Sequence, residues 1–220
     1  MHLKNQLKSI ERDLEKETTM RIAFTGSHST GKTTAAEILR KQIEKVYPDS
    51  TINSLGSVTR SISDWGGIFR DGRRIRVEKE TDSFQLACIY ERRSWMMDED
   101  VKNSDFIISE RWALDEAGYQ GFKADNTYKT TSKYYYRVAV EEAKWEATNY
   151  WNRIYYIPLS DRGVEDDGIR PLDKNYQKEI DDQIQTILMK LNESIIIKQV
   201  PLDMDELEIF FEEEVRKWKK

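Results

Sequence analysis

The sequence predicts an α/β protein in which helices cover both faces of a parallel sheet. Three observations predict it. Short apolar runs such as MRIAFTG and DFIISE alternate with longer segments of helical periodicity, as they do where strands are buried on both faces. The chain has 220 residues, enough to bury a core, and shows no repeat, low-complexity tract or interdomain linker. Hydrophobic residues make up 38% and charged residues 34%, a folded chain with a heavily charged surface.

Residues 1–18 read as an amphipathic N-terminal helix, because Leu3, Leu7, Ile10 and Leu14 recur at helical spacing. Such a helix packs on its own chain or pairs with its copy in a homodimer, and the charged stretch after it separates it from a main domain over 19–220. MRIAFTG is the first strand, an apolar run bounded by glycine. Residues 33–46 are strong helix formers and stop before Pro48. STINSLGSV is the second strand, DWGGIFRDGRRIRV a loop by its glycines, 79–101 a long helix and DFIISE the third strand. Helical patterns follow over 112–120 and 131–150, then the strand NRIYYIPL and the loop DRGVEDDGIRP. A helix over 172–191, the strand SIIIKQV and a helix over 203–219 complete the order.

Composition narrows the function classes. A net charge of -5 argues against nucleic-acid binding through overall charge, though a local basic patch is compatible with it. The single cysteine, Cys88, cannot form an internal disulfide, which fits a reducing cytoplasm. It reads as core, not as a nucleophile. No apolar run approaches the roughly 20 residues that span a bilayer, and MHLKNQLKSIERDLEKETTM lacks the apolar centre of a signal peptide. A soluble cytoplasmic protein with no membrane partner is expected.

FTGSHSTGKTT, residues 24–34, carries the most specific chemistry. Gly26, Gly31, Lys32 and Thr33 satisfy G-x-x-x-x-G-K-[ST], the phosphate-binding loop or P-loop. Backbone N–H groups can wrap a phosphate chain only where side chains do not intrude, so glycines bound the loop. Gly26, Ser27, His28, Ser29, Thr30, Gly31, Lys32, Thr33 and Thr34 are the expected nucleotide contacts. Lys32 would reach the outer phosphates, Thr33 would ligate magnesium, and the next helix offers its positive end. The motif follows a strand and opens a helix, as it must. ATP and Mg2+ are the expected cofactors.

DFIISE ends in Ser109-Glu110-Arg111, not in the apolar run closing on Asp-Glu of a motor ATPase, and no base-reading Asn/Thr-Lys-x-Asp of a GTPase stands out. Glu110 beside the loop can hold magnesium, and Arg111 can neutralise a phosphoryl group in flight; a helix-capping pair is the plainer alternative. In DRGVEDDGIRP, Arg162 and Arg170 flank three acids with Gly163 and Gly168 as hinges. This suits a lid that closes over ATP, or a solvated turn.

GSHSTGKTT, Thr59-Arg60 after the second strand, Gln85 in the long helix, Ser109-Glu110-Arg111 with Asp115 and Tyr119 behind it, and EDDGIRPLDKNYQKEID together resemble one family. It is the group of P-loop kinases related to the nicotinamide riboside kinase domain and to phage-encoded nucleotide kinases, near thymidylate kinase and the deoxynucleoside kinases. The resemblance covers about residues 20–200 and implies a three-layer P-loop kinase fold with five parallel strands, ATP with magnesium, and a nucleoside or nucleotide substrate. It implies catalytic roles for Lys32, Glu110, Arg111, Arg162 and Arg170, magnesium on Thr33 and Glu110, and an acceptor near Arg60, Gln85 and Tyr119. Glu110 or Asp115 would orient an acceptor hydroxyl. Glu110 stands where the family usually has Asp, and Trp112 follows the pair.

Two basic stretches widen the choice of acceptor. Arg70, Arg73, Arg74 and Arg76 crowd one loop, and YKTTSKYYYR (128–137) joins Lys129, Lys133 and Arg137 to four tyrosines. Arginines grip phosphates and tyrosines stack on bases, so these stretches suit a nucleic-acid acceptor or, more plainly, a charged surface beside a packed helix. Trp145, Trp151, Tyr155 and Tyr156 read as packing. His2 and His28 form no metal cluster. Three functions remain open: a small-molecule kinase, a kinase acting on a hydroxyl of a nucleic acid or of a modified base in DNA, and a nucleotide-binding regulatory switch without transfer.

Overall fold

The computed structural model describes residues 19–56, 58, 69–70, 73–74, 84–126, 130–160, 173–191 and 196–218. The expected N-terminal helix, Arg60, Arg76, Lys129, Arg162 and Arg170 lie outside them.

The apolar runs form the sheet. Strands β1 (Met20–Thr25), β2 (Ile52–Leu55), β5 (Phe106–Ser109), β6 (Arg153–Tyr156) and β7 (Ile197–Gln199) make one five-stranded sheet in the order β2-β5-β1-β6-β7. Every pairing is parallel, with Met20 opposite Phe106 and Ile22 opposite Arg153. Period-two alternation splits the core into two layers. Ile22, Phe24, Phe106, Ile108 and Tyr155 face α1 (Lys32–Val46) and α7 (Met204–Lys217), meeting Leu39, Ile43, Phe211 and Val215. Ala23, Ile154 and Tyr156 face α2 (Phe84–Met96), α4 (Ala113–Asn126), α5 (Thr130–Asn149) and α6 (Lys174–Leu188), meeting Ile89, Ala117, Ala143 and Ile184. The fold is the three-layer α/β P-loop kinase fold.

The helices start where residue chemistry stops the preceding loop. Asp173 caps α6 by accepting from the N–H groups of Asn175 and Tyr176, and Asp203 caps α7 through those of Asp205 and Glu206. Asp98 explains one departure from expectation. The long helix expected over 79–101 ends at Met96, because Asp98 takes an extended conformation (φ -60°, ψ 138°) and caps a separate short helix, α3 (Glu99–Lys102). A second departure lies in the basic loop, where β3 (Phe69–Arg70) and β4 (Arg73–Arg74) pair antiparallel. A third is Trp145: it is 43% exposed, lying under the Arg93 guanidinium at 4.6 Å instead of in the core. Cys88, Trp151, Tyr155 and Tyr156 are buried as expected. No helix among the described residues is long and apolar enough to cross a membrane.

Helix α4 meets α6 closely at Gly118, where an added Cβ would stand 2.6 Å from Ile184 Cγ1. Gly118→Ala gains about 1 kcal/mol of helix propensity but overpacks a buried, stiff isoleucine at about 1–3 kcal/mol. A lowered unfolding midpoint is expected in thermal denaturation; an unchanged or raised one would show that the two helices separate freely.

Candidate active site

The carboxyl ends of β1, β5 and β6 lie where the chain's connections switch from one side of the sheet to the other. The chain leaves β1 toward the β2 edge and leaves β6 toward β7, which opens a crevice between them. The loop after β1 fills it. Gly26 sits at φ 148°, and a Cβ there would stand 2.5 Å from the Ile157 carbonyl that follows β6. Gly31 adopts φ 90° at the start of α1, and Ser29 adopts φ 55°. Ser29 is the one non-glycine with positive φ among the described residues. These turns curl the loop, as an anion-binding backbone requires. Lys32, 6% exposed, closes the curl. Its Nζ donates to the Gly26 carbonyl at 2.8 Å, to the Ser27 carbonyl and to Thr30 Oγ1 at 3.1 Å.

The turn after β5 faces this loop because β5 is hydrogen-bonded directly beside β1. Glu110 is pinned by its N–H to the Leu55 carbonyl at 3.0 Å, and its Oε2 accepts from Thr33 Oγ1 at 2.7 Å. Arg111, 4% exposed, lies with its guanidinium 5.4 Å from the Tyr119 ring centre, Nη2 3.5 Å from the Tyr119 hydroxyl and Nη1 3.9 Å from Asp115 Oδ1. Burial works against its charge, yet Tyr119, Asp115 and Glu116 outweigh burial and hold the proton more tightly than in a free arginine.

Asp115, a candidate for orienting the acceptor, is wholly buried and bonded to backbone. It accepts from Gly26 N–H at 3.2 Å and Trp112 N–H at 3.1 Å, tying the phosphate loop to the Glu110–Arg111 turn. Burial pushes its carboxyl up, against the pull of Arg111 and Lys32. His28 is buried with its ring 5.6 Å from Tyr176 and 6.4 Å from Tyr119. Gln85 sits in the first turn of α2, 9% exposed. The structure thus gathers the loop residues, Glu110, Arg111, Asp115 and Tyr119 into one site.

Two supporting residues escaped the sequence analysis. Glu146, wholly buried on α5, accepts from Ala113 N–H and Trp151 Nε1, both at 3.2 Å, and so fixes the start of α4 just behind Arg111. Burial raises its carboxyl, and Arg92 opposes the rise. The available signal was an acid set among Ala139, Ala143 and Ala147 on an inward helix face. Gln177, the second, donates from Nε2 to the His28 carbonyl at 2.6 Å; it lies within EDDGIRPLDKNYQKEID, yet that resemblance gives it no role.

The Thr33 hydroxyl and Glu110 carboxylate form a pair of hard oxygen donors, which suits magnesium shared with phosphates and water. Such a loop, strand adjacency and turn form a candidate nucleotide-phosphate site. Residues 21–203 match the AAA domain family. The chain belongs to that family. Among solved structures, this AAA domain resembles deoxyadenosine kinase from M. mycoides with bound products dCMP and dCDP, at TM-score 0.61 and 14% identity, covering 90% of this chain and 100% of the kinase. It also resembles thymidylate kinase from Ehrlichia chaffeensis (TM-score 0.59, 15% identity, 90% and 97% covered). For the NadR protein in complex with NR the values are 0.65 and 13%, over 93% of this chain and 53% of NadR, so the AAA domain spans about half of NadR. At these identities the likeness shows the fold. No curated protein sequence matches the chain. The P-loop kinase fold implied by the motif resemblance is borne out by these neighbours.

Proposed function

We propose that this protein is an ATP-dependent kinase that transfers the γ-phosphoryl group to a nucleoside or (deoxy)nucleoside monophosphate. The observation that carries the reading is the Glu110–Arg111 turn, held beside the phosphate loop by backbone pairing of β5 with β1 and by the Thr33–Glu110 hydrogen bond. A motor ATPase would place an apolar strand closing on acids here; this turn instead offers a carboxylate and a buried guanidinium side by side.

The residues divide the work. Lys32 exchanges its loop carbonyls for phosphate oxygens, and the loop N–H groups bind the remaining charge. Thr33 and Glu110 would hold magnesium, which when bound neutralises phosphate oxygens and orients them. Arg111 receives the charge of the group in transfer, and Asp115 fixes its distance from the loop. Arg162 and Arg170 carry a lid role, Arg60 and Gln85 an acceptor role, on the motif resemblance alone. The deoxyadenosine and thymidylate kinases that share the fold support an acceptor of the nucleoside or nucleotide class.

One observation favours a second reading, an acceptor hydroxyl on a nucleic acid. Tyr134 is 63% exposed at the start of α5, with Lys133 and Arg137 exposed beside it. Labelled ATP offered with nucleosides, monophosphates and oligonucleotides separates the readings. Transfer to a small acceptor with shallow salt dependence is expected. Transfer confined to oligonucleotides, weakening steeply with salt, would establish the second reading. ATP binding with no transfer to any acceptor would leave a nucleotide switch and remove both.

A further inference from the structure

We infer that Gln177 is a positioning residue for phosphate binding, holding the His28–Ser29 peptide so that the Ser29 N–H faces the phosphate chain. The inference rests on the reading of residues 26–33 as a nucleotide-phosphate site. A carbonyl oxygen only accepts, so the group meeting His28 O at 2.6 Å is the amide NH2 of Gln177. In a trans peptide, C=O and the following N–H point in opposite directions. With the His28 carbonyl drawn toward α6, the Ser29 N–H points away from α6, the side where the inference places the phosphate chain.

That orientation needs a restraint. Ser29 at φ 55° occupies the left-handed region, where a side chain crowds the following carbonyl. Rotation of the His28–Ser29 peptide would relieve the crowding and turn a carbonyl dipole on the phosphates. Gln177 opposes that rotation from a fixed base. It is 7% exposed, one turn into α6, beyond the Asp173 cap. The start of α6 is itself anchored: Tyr176 packs edge-on against Phe122 of α4 at 4.7 Å and lies beside the His28 ring. The phosphate loop is therefore gripped from two sides, by Asp115 on Gly26 and by Gln177 on His28. Position 177 lies soon after the 161–171 segment, so the helix that carries this grip is joined in sequence to the two arginines assigned to closure.

The test is calorimetric titration of the full chain with ATP and with inorganic tripolyphosphate, which reports the phosphate site without a base. Gln177→Met keeps the side-chain length and removes the donor; about a tenfold loss of affinity for both ligands is expected. Gln177→Glu, which presents an acceptor to an acceptor, should lose more. Adding Ser29→Gly to Gln177→Met lifts the left-handed penalty and should recover about threefold or more, a coupling that a packing role would not produce. Should Gln177→Met fail to fold, Gln177→Asn, one methylene short, carries the same expectation at smaller size. Wild-type affinity in the Gln177 variants, or loss with no recovery by Ser29→Gly, overturns the positioning role and leaves the kinase reading intact. A wild-type chain that binds neither ATP nor tripolyphosphate overturns both.

Discussion

Lys32→Ala is expected to lower phosphoryl transfer at least about 100-fold, because it deletes a preorganised cation from the charge-bearing centre of the transition state. The structure explains why the fold should survive. Lys32 bonds to Gly26, Ser27 and Thr30 within its own loop, while the loop's attachment to the body runs through Asp115 and Gln177. Its removal leaves those attachments in place, and ligand-free stability should change by no more than about 1–2 kcal/mol. Turnover and chemical denaturation of the same preparation check the two halves together. Retention of more than about a tenth of wild-type turnover would remove Lys32 from the chemistry.

The largest stability effect is expected from Arg92→Met. The Arg92–Glu116 pair is 2.9 Å long with both side chains essentially buried, at 1% and 2% exposure. Removing one member of a buried pair strands the other charge, at about 3–5 kcal/mol. Arg92 also opposes the upward shift that burial imposes on Glu146, so Glu146 should rise further without it. The pH dependence follows. A carboxyl raised in the folded state binds more protons there than when unfolded, so stability is greatest below the ordinary carboxylate range and falls as pH rises through the folded value. The Arg92→Met deficit should therefore be larger at pH about 8 than at pH about 5. Denaturant titrations at both values measure it, and adding Glu116→Leu should recover much of the loss. A deficit under about 1 kcal/mol would mean that water reaches the pair.

The centre of the sheet was legible in sequence because β5 and most of β1 and β6 are buried and carry apolar runs. The phosphate loop was legible because curling a backbone around an anion fixes residue types at contiguous positions. Neither condition holds for the supporting residues. Gln177 acts on a residue 149 positions away and Glu146 on one 33 away, so whatever their local sequence suggests, it does not name the partner each one holds. Asp98 shows a milder failure: in the acidic run DEDVK a cap and a helix interior look alike until the backbone is seen to extend. Trp145 was misplaced for a related reason, since a large aromatic residue is covered as well by an arginine as by a core.

The strand order bears on how the molecule comes to exist at all. β1 is made first but occupies the middle of the sheet, and its neighbours arrive much later. The contacts that tie it in span 131 positions from Arg21 to Asn152, and those that assemble the site span 89 from Gly26 to Asp115 and 77 from Thr33 to Glu110. Long-range parallel pairing is slow to nucleate, because chain closure must precede any reward from the contacts. On the ribosome, at about 5–20 residues per second, an apolar Ile22-Ala23-Phe24 segment therefore waits several seconds for β5 and longer for β6. Throughout that interval it is a target for chaperones and for aggregation. On the proposed function, phosphate affinity would emerge only once β5 and β6 have closed around β1, so nucleotide binding would draw the late equilibrium toward the finished sheet.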